Sequence, residues 1–460
     1  MAFIGQVIEH IEAGKNIRCI ERPPEPHERG IVKISAVSWG RFNELESKTV
    51  LPGAQLDERA RISPGDLLIS RANTIELVGA CARVDALTRR LYLSDKVLRL
   101  RAAPEVLPWL HRYLSSPEAR TALSHSSSGN QLSMRNISQV TLNSLPVPLA
   151  PVNEQNRICR KLDMVLARIG TCRERLNRVP PILKKFREAV LEAAVSGRLT
   201  EEWRTATKLN LSDWASGPFS LLLAGTDGAI RRGPFGSTIK KSLFVPKGYK
   251  VYEQANAIKN DCSLGSYYIS KELYNQLDSF HVAGGHFIVS CAGTIGRIAE
   301  VPAGSPVGVI NQALMRIRID PAVVSARFFL LFFRSPSFQR AILEKTQGGA
   351  MQNLAPIKTV KSLAVSVPSL AEQNEIVRRV DDLVALADSI QRGYDDAFDC
   401  AEKLTPSVLA KAFRGELVSQ DPNDEPAETL LGRIRQAKSR VDAAARNAAL
   451  VDKSELRGNV

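Results

Sequence analysis

The sequence predicts an α+β protein in which two mixed α/β globular domains are separated by two long helices. We expect these helices to pair as an antiparallel coiled coil with pseudo-two-fold symmetry. Three observations predict this class. Two stretches carry an apolar seam with heptad spacing, the second stretch repeats the first, and the segment before each alternates short β-like runs with turns.

The first helical stretch extends from Asn153 to Thr200 and is interrupted near Pro180-Pro181. Its apolar positions recur at alternating spacings of four and three, the 3.5-residue period of a helix that packs along another helix. Cys172 falls on this seam, where packing explains it better than chemistry does. The residues that we expect to mediate pairing in this first arm are Ile158, Leu162, Val165, Ile169 and Leu176.

The second stretch repeats the first at a constant offset. Glu154 recurs as Glu372 and Val190 as Val408, and both differences (372 − 154 and 408 − 190) are 218. We expect the seam of this second arm to contain Ile376, Val380, Leu383, Ile390 and Tyr394. The predicted plan has globular domains at 1–149 and 204–368, helical arms at 150–203 and 369–418, and a C-terminal tail at 419–460.

Charge and length favour pairing between the two arms. Residues 157–178 are mostly basic and residues 375–399 mostly acidic, so the arms complement each other better than either complements itself. A helix of roughly 45 residues spans on the order of 70 Å, more than the width of one domain. The heptad seam does not determine whether the two helices run parallel or antiparallel. We favour the antiparallel arrangement because it relates the domains by a pseudo-two-fold axis.

The two globular segments contain matching motifs in the same order. GDLLISRANTIE at Gly65–Glu76 matches GHFIVSCAGTIG at Gly285–Gly296, and SSPEAR around Pro117 matches RSPSFQR around Pro336. An amphipathic helix is predicted over 107–124, a buried segment over 328–333, a polar linker after the first arm and a helical but lightly anchored tail. The contents of the domains differ more than the arms do, as expected of two recognition surfaces on one scaffold.

Composition favours a polyanionic partner. The 460 residues carry a formal charge of +14, and the pI is near 9.5. We find neither a signal peptide nor an apolar run of the roughly 20 residues that a membrane helix needs. Seven cysteines without a CxxC pair indicate reduced thiols and a cytoplasmic location.

No catalytic or metal-binding motif is apparent. The sequence contains no GxxxxGK[ST] loop and no Asn-Pro-Pro-aromatic motif, and its six histidines lack metal-ligand spacing. We therefore expect no catalytic residue, no bound metal and no cofactor in this chain.

Three groups of residues are candidates for DNA contacts. The first group lies in the loops after the matched strands, where arginine and asparagine can read base edges, although a structural turn is the alternative for each residue. The second is a basic segment suited to phosphates, with a solvated surface as its alternative. Polar loops at 126–131 and 347–352 are a third candidate. The individual residues are Ser70, Arg71, Asn73, Thr74, Ser290, Thr294 and Arg297 in the loops, and Arg231, Arg232, Ser237, Lys240 and Lys241 in the basic segment.

Several longer motifs resemble one family. PLAPVNEQNRICRKLD, RVPPILKKFREAVLEAAVSGRLTEEWR, RRGPFGSTIKKSLFVPKGYKVYEQANAI, PSLAEQNEIVRRVDDLVALAD and LAKAFRGELVSQDPNDEPAETLL are similar to specificity (S) subunits of type I restriction-modification systems. The resemblance implies two target-recognition domains that each read half of a bipartite double-stranded DNA site. It also implies that the paired helices set the distance between them.

The resemblance implies partners as well. Two methyltransferase (M) subunits would dock on the arms and methylate adenine N6 with S-adenosylmethionine. Restriction (R) subunits would add ATP- and Mg-dependent translocation and cleavage. The chain itself would bind no cofactor. The alternatives are a basic coiled-coil adaptor that binds DNA without sequence preference, and an enzyme with an unrecognised site, which the missing motifs disfavour.

Overall fold

The chain folds into two compact units in the computed structural model, which describes residues 1–131, 133–234, 238–343 and 354–440. Unit 1 combines residues 1–176 with the chain from residue 397 onward. Unit 2 contains residues 177–396. Each unit therefore contains one mixed α/β region together with parts of both helical arms.

Unit 1 contains short strands and helices that lead into a long helix. Its helices are α1 (Ile4–Val7), α2 (Leu107–Leu114), α3 (Pro117–His125), α4 (Gln139–Asn143) and α5 (Val152–Leu176), with 3₁₀ turns at Ile34–Ala36 and Glu58–Ala60. Its strands are β1 (Ala2–Phe3), β2 (His10–Ala13), β3 (Cys19–Ile20), β4 (Arg29–Val32), β5 (Ser47–Val50), β6 (Leu67–Ser70), β7 (Ala72–Asn73), β8 (Cys81–Arg83), β9 (Arg90–Tyr92), β10 (Val97–Arg101), β11 (Ser128–Gln131), β12 (Met134–Asn136) and β13 (Pro146–Val147).

Two four-stranded sheets form the centre of unit 1. One has the order β2-β10-β6-β8 and is antiparallel throughout. The other has the order β3-β5-β4-β9, in which β4 and β9 are parallel. Every residue of β6 is buried, which explains why its sequence is a continuous apolar run instead of an alternating one. Unit 1 also contains two smaller sheets. In one, β1 pairs with β13, and the other has the strand order β11-β12-β7.

The helix predicted over 107–124 is two helices. Helix α2 ends at Leu114, and Ser116 caps α3 by accepting a hydrogen bond from the Ala119 amide. Pro117 occupies the first turn of α3, where its missing N–H costs nothing. The residue before a proline avoids helical geometry, so this Ser-Pro step divides the predicted helix.

Unit 2 contains helices α6 (Val179–Val195), α7 (Glu201–Thr207), α8 (Gln254–Lys259), α9 (Lys271–Gln276), α10 (Ala326–Arg334), α11 (Pro336–Leu343) and α12 (Ile357–Lys361), and α13 (Leu370–Phe413) begins in it. Its 3₁₀ turns are Arg198–Thr200, Leu211–Asp213, Phe219–Leu222, Lys241–Leu243 and Asp278–Phe280. Its strands are β14 (Ala215–Pro218), β15 (Ile230–Arg232), β16 (Phe244–Val245), β17 (Tyr249–Tyr252), β18 (Tyr268–Ile269), β19 (His281–Val282), β20 (Phe287–Ser290), β21 (Ile298–Glu300), β22 (Gly308–Ile310), β23 (Leu314–Ile317) and β24 (Ala364–Val367).

The two main sheets of unit 2 repeat the two main sheets of unit 1. The antiparallel sheet β15-β23-β20-β21 corresponds strand by strand to β2-β10-β6-β8. The sheet β16-β18-β17-β22-β19 contains the parallel pair β17 and β22, which corresponds to β4 and β9, and adds β19 at one edge. The duplication predicted from the sequence therefore extends to strand order and strand direction. The predicted buried segment 328–333 lies within α10, whose phenylalanines belong to the unit 2 core.

The arms pair antiparallel within each unit. In unit 1, Ile158 and Leu162 of α5 pack with Leu409 and Ala412 of α13, and Arg173 forms an ion pair with Glu402 at 3.1 Å. Residue numbers therefore rise along one helix as they fall along the other. In unit 2, Arg187 pairs with Asp388 at 2.7 Å and the Arg379 guanidinium donates to the Leu199 carbonyl, in the same antiparallel sense.

The seam is not buried along its whole length. Ile169, Ile376 and Val380 are buried, and Leu383 packs against the unit 2 core. Val165, Leu176 and Tyr394 are half-buried. Ile390 is 47% exposed, and Cys172 is exposed in spite of its seam position. Within the first arm, Cys172 and Leu176 come just before the interruption of the helix, because α5 ends at Leu176 and α6 begins at Val179 with two prolines in its first turn.

Matched glycines follow both arms. Gly197 comes after α6 and Gly415 after α13, and they have φ values of 76° and 77°. Glycine adopts this left-handed conformation without the steric penalty of a Cβ atom, which makes it the usual residue at such a helix end. A side chain at Gly197 would also meet the Leu211 side chain at 2.6 Å.

Two segments are better anchored than the sequence suggested. The polar stretch after the first arm contains α7, and its Arg204 and Trp214 are buried. The tail forms a helix over 427–440, in which Leu430 and Ile434 are buried beside Ile4 and Val7. Both corrections have the same cause, because a few large side chains at helical or turn spacing bury enough surface to fix a mostly polar segment. None of the helices among the described residues is long and apolar enough to cross a membrane.

Candidate nucleic-acid interface

Unit 1 has a basic cleft of about 680 Å³ between its second sheet and the loop after β6. Trp39 lies at this cleft and is 75% exposed. Glu21 is one of the few acids at the cleft, and it is engaged by Lys48 at 2.5 Å and Lys33 at 3.9 Å. An exposed aromatic ring beside clustered cations suits stacking and phosphate contacts. The polar and aromatic residues that we use to define this unit 1 cleft are Lys15, Lys33, Ser38, Trp39, Lys48, Asn73 and Lys96.

The predicted residue Asn73 lies in the unit 1 cleft. Its amide nitrogen donates to the Ser38 hydroxyl at 3.1 Å, and its amide oxygen accepts from the Thr74 backbone at 2.9 Å. Thr74 is half-buried, while Arg71 is exposed at the start of the same loop. Asn73 is therefore held in a fixed orientation, which limits the rotamer entropy lost when a base binds.

Ser70 and Ser290 close turns. Both side chains are fully buried. The Ser70 hydroxyl donates to the Leu77 carbonyl at 3.0 Å and the Ser290 hydroxyl to the Thr294 carbonyl at 2.6 Å. This burial favours the structural alternative for both serines, because neither hydroxyl faces a surface that DNA could reach in this conformation.

The loop after β20 in unit 2 presents different chemistry. Thr294 and Arg297 are exposed. Gly293 occupies the position that Asn73 has in unit 1, with φ of 62°. Gln254 of α8 donates its side-chain amide to the Ala292 carbonyl and, at 3.4 Å, to the Thr294 carbonyl. The two units therefore hold equivalent loops with different side chains.

The basic segment of unit 2 is divided between two places. Arg231 and Arg232 belong to β15 and are half-buried, and the Arg231 guanidinium lies 5.9 Å from the centre of the Phe280 ring. Lys240 and Lys241 are exposed at the 3₁₀ turn that precedes β16. Ser237 and the loop 347–352 lie outside the described residues. The loop 126–131 contributes β11, which pairs with β12.

Sequence reasoning missed Trp39, the four cleft lysines and Gln254. The run SWGRFN contained a signal for Trp39, because a tryptophan beside glycine and arginine outside any apolar pattern is a candidate for exposure. The lysines come from four separate segments and only the fold brings them together. Within the described ranges, no group of three or more histidine, cysteine or acidic side chains could hold a metal ion.

Two topologically matched α/β units, each with antiparallel helical segments, define a duplicated two-domain class of protein. Residues 235–395 match the family model of the type I restriction modification DNA specificity domain. The chain is 30% identical over 386 residues to the EcoBI type I restriction enzyme specificity subunit of Escherichia coli, and the alignment covers 81% of this chain and 78% of that subunit. It is 28% identical to the EcoKI specificity subunit of Escherichia coli K12, with 86% and 84% covered. The chain belongs to the family of type I restriction enzyme specificity subunits.

Solved structures share the fold. A chain from a study of complex assembly and conformational transition in a type I restriction-modification system superposes with a TM-score of 0.61 at 17% identity, covering 90% of this chain and 97% of that one. The HsdS subunit from Thermoanaerobacter tengcongensis gives a TM-score of 0.52 at 17% identity, covering 90% and 96%.

Proposed function

We propose that this chain is the sequence-specific DNA-binding subunit of a type I restriction-modification complex and that it recognises a bipartite site. Residues 1–149 and 204–368 would be the two target-recognition domains, and the paired arms would fix the spacing between half-sites. One observation carries the proposal. The two units share strand order and direction, yet equivalent loops present Asn73 in one and Gly293 in the other. One scaffold with two unlike surfaces suits a split site with unlike halves.

The proposal assigns no catalysis to this chain. Two methyltransferase subunits would dock on the arms and methylate adenine N6, and restriction subunits would cleave. S-adenosylmethionine, ATP and Mg would belong to those partners. The role of this chain is to place their active sites relative to the sequence that it reads.

Matched variants of the two loops test the proposal. Arg71→Ala and Arg297→Ala each remove one exposed arginine from equivalent loops of units 1 and 2. We expect methylation mapping of the chain co-expressed with its methyltransferase to show relaxed specificity, with Arg71→Ala affecting one half-site and Arg297→Ala the other. Each lost bidentate base contact should reduce discrimination by about 1–3 kcal/mol.

Two results would refute the proposal. One is methylation of the same site by the methyltransferase without this chain. The other is relaxation of the same half-site by both variants. The competing function, a basic adaptor without sequence preference, is favoured only by the charge of +14. It predicts equal affinity for the mapped site and random duplex, together with a steep salt dependence.

A further inference from the structure

Unit 1 contains a buried and charge-balanced network on its antiparallel sheet. Arg99 of β10 is fully buried. Its guanidinium donates to Glu12 at 2.5 Å and to Asp66 at 2.8 Å, and Arg101 donates to Asp66 at 3.1 Å. Glu12 lies directly opposite Arg99 on β2. Burial alone would raise the pKa of Glu12, but hydrogen bonds from His10 and Arg99 and the two arginine charges lower it. Two arginines and two acids therefore neutralise each other.

The equivalent positions in unit 2 carry no acid. Arg316 of β23 corresponds to Arg99, and the residue opposite it on β15 is Arg231 in place of Glu12. Arg318, two residues further along, corresponds to Arg101. His286 comes just before β20, as Asp66 comes just before β6. Directly opposite residues, and residues two apart along a strand, share one face of a sheet. Three guanidinium groups and a histidine in unit 2 thus occupy the positions that the charge-balanced network occupies in unit 1.

Among the residues that the structure describes, Arg316 is held by neutral groups alone. It is 5% exposed. It donates to the carbonyls of His281 and, at 2.7 Å, Gly228, while its Nε has no partner among the described residues. Arg318 donates to the Asp227 carbonyl at 3.0 Å, and its buried Nε likewise has no partner in that part of the chain.

The nearby acids do not compensate these charges. Within the described ranges, none of Arg231, Arg316 and Arg318 forms an ion pair with a carboxylate. The Asp278 side chain is 87% exposed and lies 3.3 Å from His281. The Asp227 carboxylate accepts from the Gly228 amide. The cluster, defined as Arg231, Arg316 and Arg318, therefore carries uncompensated positive charge at the surface of the unit 2 core.

The ionisation of the cluster agrees with its surroundings. Burial, followed by the charges of Arg318 and Arg231, lowers the pKa of Arg316 to about 10, so the group remains charged at neutral pH. Burial, followed by Arg316 and Arg318, lowers the pKa of His286 to about 4, so that imidazole is neutral there. A buried charge is ordinarily paired, and like charges opposite each other in a sheet are unfavourable.

We propose that Arg231, Arg316 and Arg318 form a binding site for an oxyanion of the phosphate class. Arg316 is the buried floor of the site, and the half-exposed Arg231 and Arg318 form its rim. Guanidinium groups match the oxygens of a phosphate in geometry and charge. The anion supplies to unit 2 the negative charge that Glu12 and Asp66 supply to unit 1.

Two sources offer this chemistry, a phosphate of the DNA backbone and free inorganic phosphate. Binding of a DNA phosphate rests on the proposed function, whereas binding of inorganic phosphate does not. An experiment can therefore refute the proposed function and still support the oxyanion site, or the reverse.

Thermal unfolding of the full chain tests the site with inorganic phosphate. The melting temperature of unit 2 is compared in phosphate and in chloride at equal ionic strength and pH 7. We expect phosphate to raise it by about 3 °C or more. Phosphate also stabilises proteins without binding because it is excluded from their surfaces, so the difference between variants is the diagnostic quantity.

Arg231→Glu places a carboxylate opposite Arg316, as Glu12 lies opposite Arg99. We expect this variant to melt in chloride at or above the wild-type temperature and to lose most of the phosphate shift. Lys358→Glu makes the same charge change at an exposed residue of α12 and should keep the shift. Arg231→Gln and Lys358→Gln form a second pair with a smaller charge change, which remains informative if Arg231→Glu does not fold.

Equal shifts in the Arg231 and Lys358 variants would overturn the proposal, as would a wild type that melts identically in both salts. Duplex binding then separates the sources. If the ligand is a backbone phosphate, Arg231→Gln weakens binding to specific and random duplexes alike, more than Lys358→Gln does, and inorganic phosphate competes with DNA. If Arg231→Gln loses the phosphate shift but binds DNA as Lys358→Gln does, the site holds a free oxyanion.

Discussion

Glu372 and Arg204 form an ion pair of 2.6 Å in unit 2, and their side chains are only 2% and 8% exposed. The Glu372 carboxylate also accepts hydrogen bonds from the Thr200 hydroxyl at 2.7 Å and the Trp214 indole at 2.9 Å. These partners lie in the segment that follows α6, while Glu372 lies at the start of the second arm. The first turn of α13 is therefore fastened to that segment through one buried carboxylate.

Replacing Glu372 should destabilise unit 2 strongly. Glu372→Gln removes the one carboxylate that pairs with Arg204 in the described part of the chain, and it leaves a buried guanidinium uncompensated. Breaking a buried ion pair by changing one partner typically costs about 3–5 kcal/mol. We expect a loss of about 3 kcal/mol in the free energy of unfolding of unit 2, measured by urea unfolding.

Glu154→Gln is the matched control, because Glu154 occupies the same repeat position in unit 1. Glu154 is buried, and this burial raises its pKa. The adjacent Arg157 pairs instead with Asp424 at 2.6 Å. The neutral amide therefore deprives no buried cation of its partner, and a loss of less than about 1 kcal/mol is expected. Equal losses in the two variants would show that the Glu372 network is not specially important.

Substitutions along the helical seam should lower the free energy of unfolding by unequal amounts. Leu162 is fully buried against the end of α13 in unit 1, whereas Ile390 is 47% exposed in unit 2. Leu162→Ala is expected to cost about 3 kcal/mol, because it removes buried methyl groups and leaves a cavity. Ile390→Ala should cost less than about 1 kcal/mol. The comparison uses thermal unfolding of both variants, and similar losses would contradict the observed difference in burial.

The duplicated fold could be predicted because its signals are local and repeated. The heptad seams, the 218-residue offset and the Gly65 and Gly285 motifs each fix a local structure that recurs. The exposure of Ile390 could not be predicted, because a heptad pattern marks a seam without stating which of its positions a partner helix covers. The anchoring of the tail by Leu430 also depends on contacts with residues more than 400 positions away.

The candidate interface was less accessible to sequence reasoning. Arg71 and Asn73 could be proposed as DNA-contact residues because they follow a recognisable strand, and that role stays a prediction. Ser70 looked equivalent to them but points inward, since alternate residues of a strand face opposite sides and its hydroxyl closes a turn. Trp39 and Lys96 meet at one cleft only after two sheets have packed, and no spacing rule connects them.

The unit 1 cleft should contribute phosphate contacts through its lysines. Lys96 is exposed at the cleft and is not in an ion pair within the described part of the chain. Lys96→Gln should weaken binding to specific and random duplexes by similar factors. It should also reduce the slope of log affinity against log salt by about 1, because one fewer counterion is released. Fluorescence anisotropy over a salt series measures both quantities.

Lys161→Gln provides the control for Lys96→Gln, since Lys161 is an exposed lysine on α5 outside the cleft. It makes the same change in net charge and should leave the salt slope almost unaltered. If both variants change the slope equally, the effect comes from the overall charge of the protein and not from the cleft.

His111 should make unit 1 sensitive to acid. Burial, followed by the charges of Arg112 and Arg83, lowers its pKa to about 4 despite the opposing effects of Asp85 and Asp163. The unfolded state, with a pKa near 6.5, therefore binds the proton first, and the stability present above about pH 6.5 is lost as pH falls towards 4. Between pH 7 and pH 5 this histidine alone should account for a loss of about 2 kcal/mol in the free energy of unfolding.

His111→Gln should remove that part of the loss from unfolding curves recorded at the two pH values. His27→Gln, at an exposed histidine of the same unit, should not. An unchanged pH dependence in His111→Gln would place the acid sensitivity of unit 1 elsewhere.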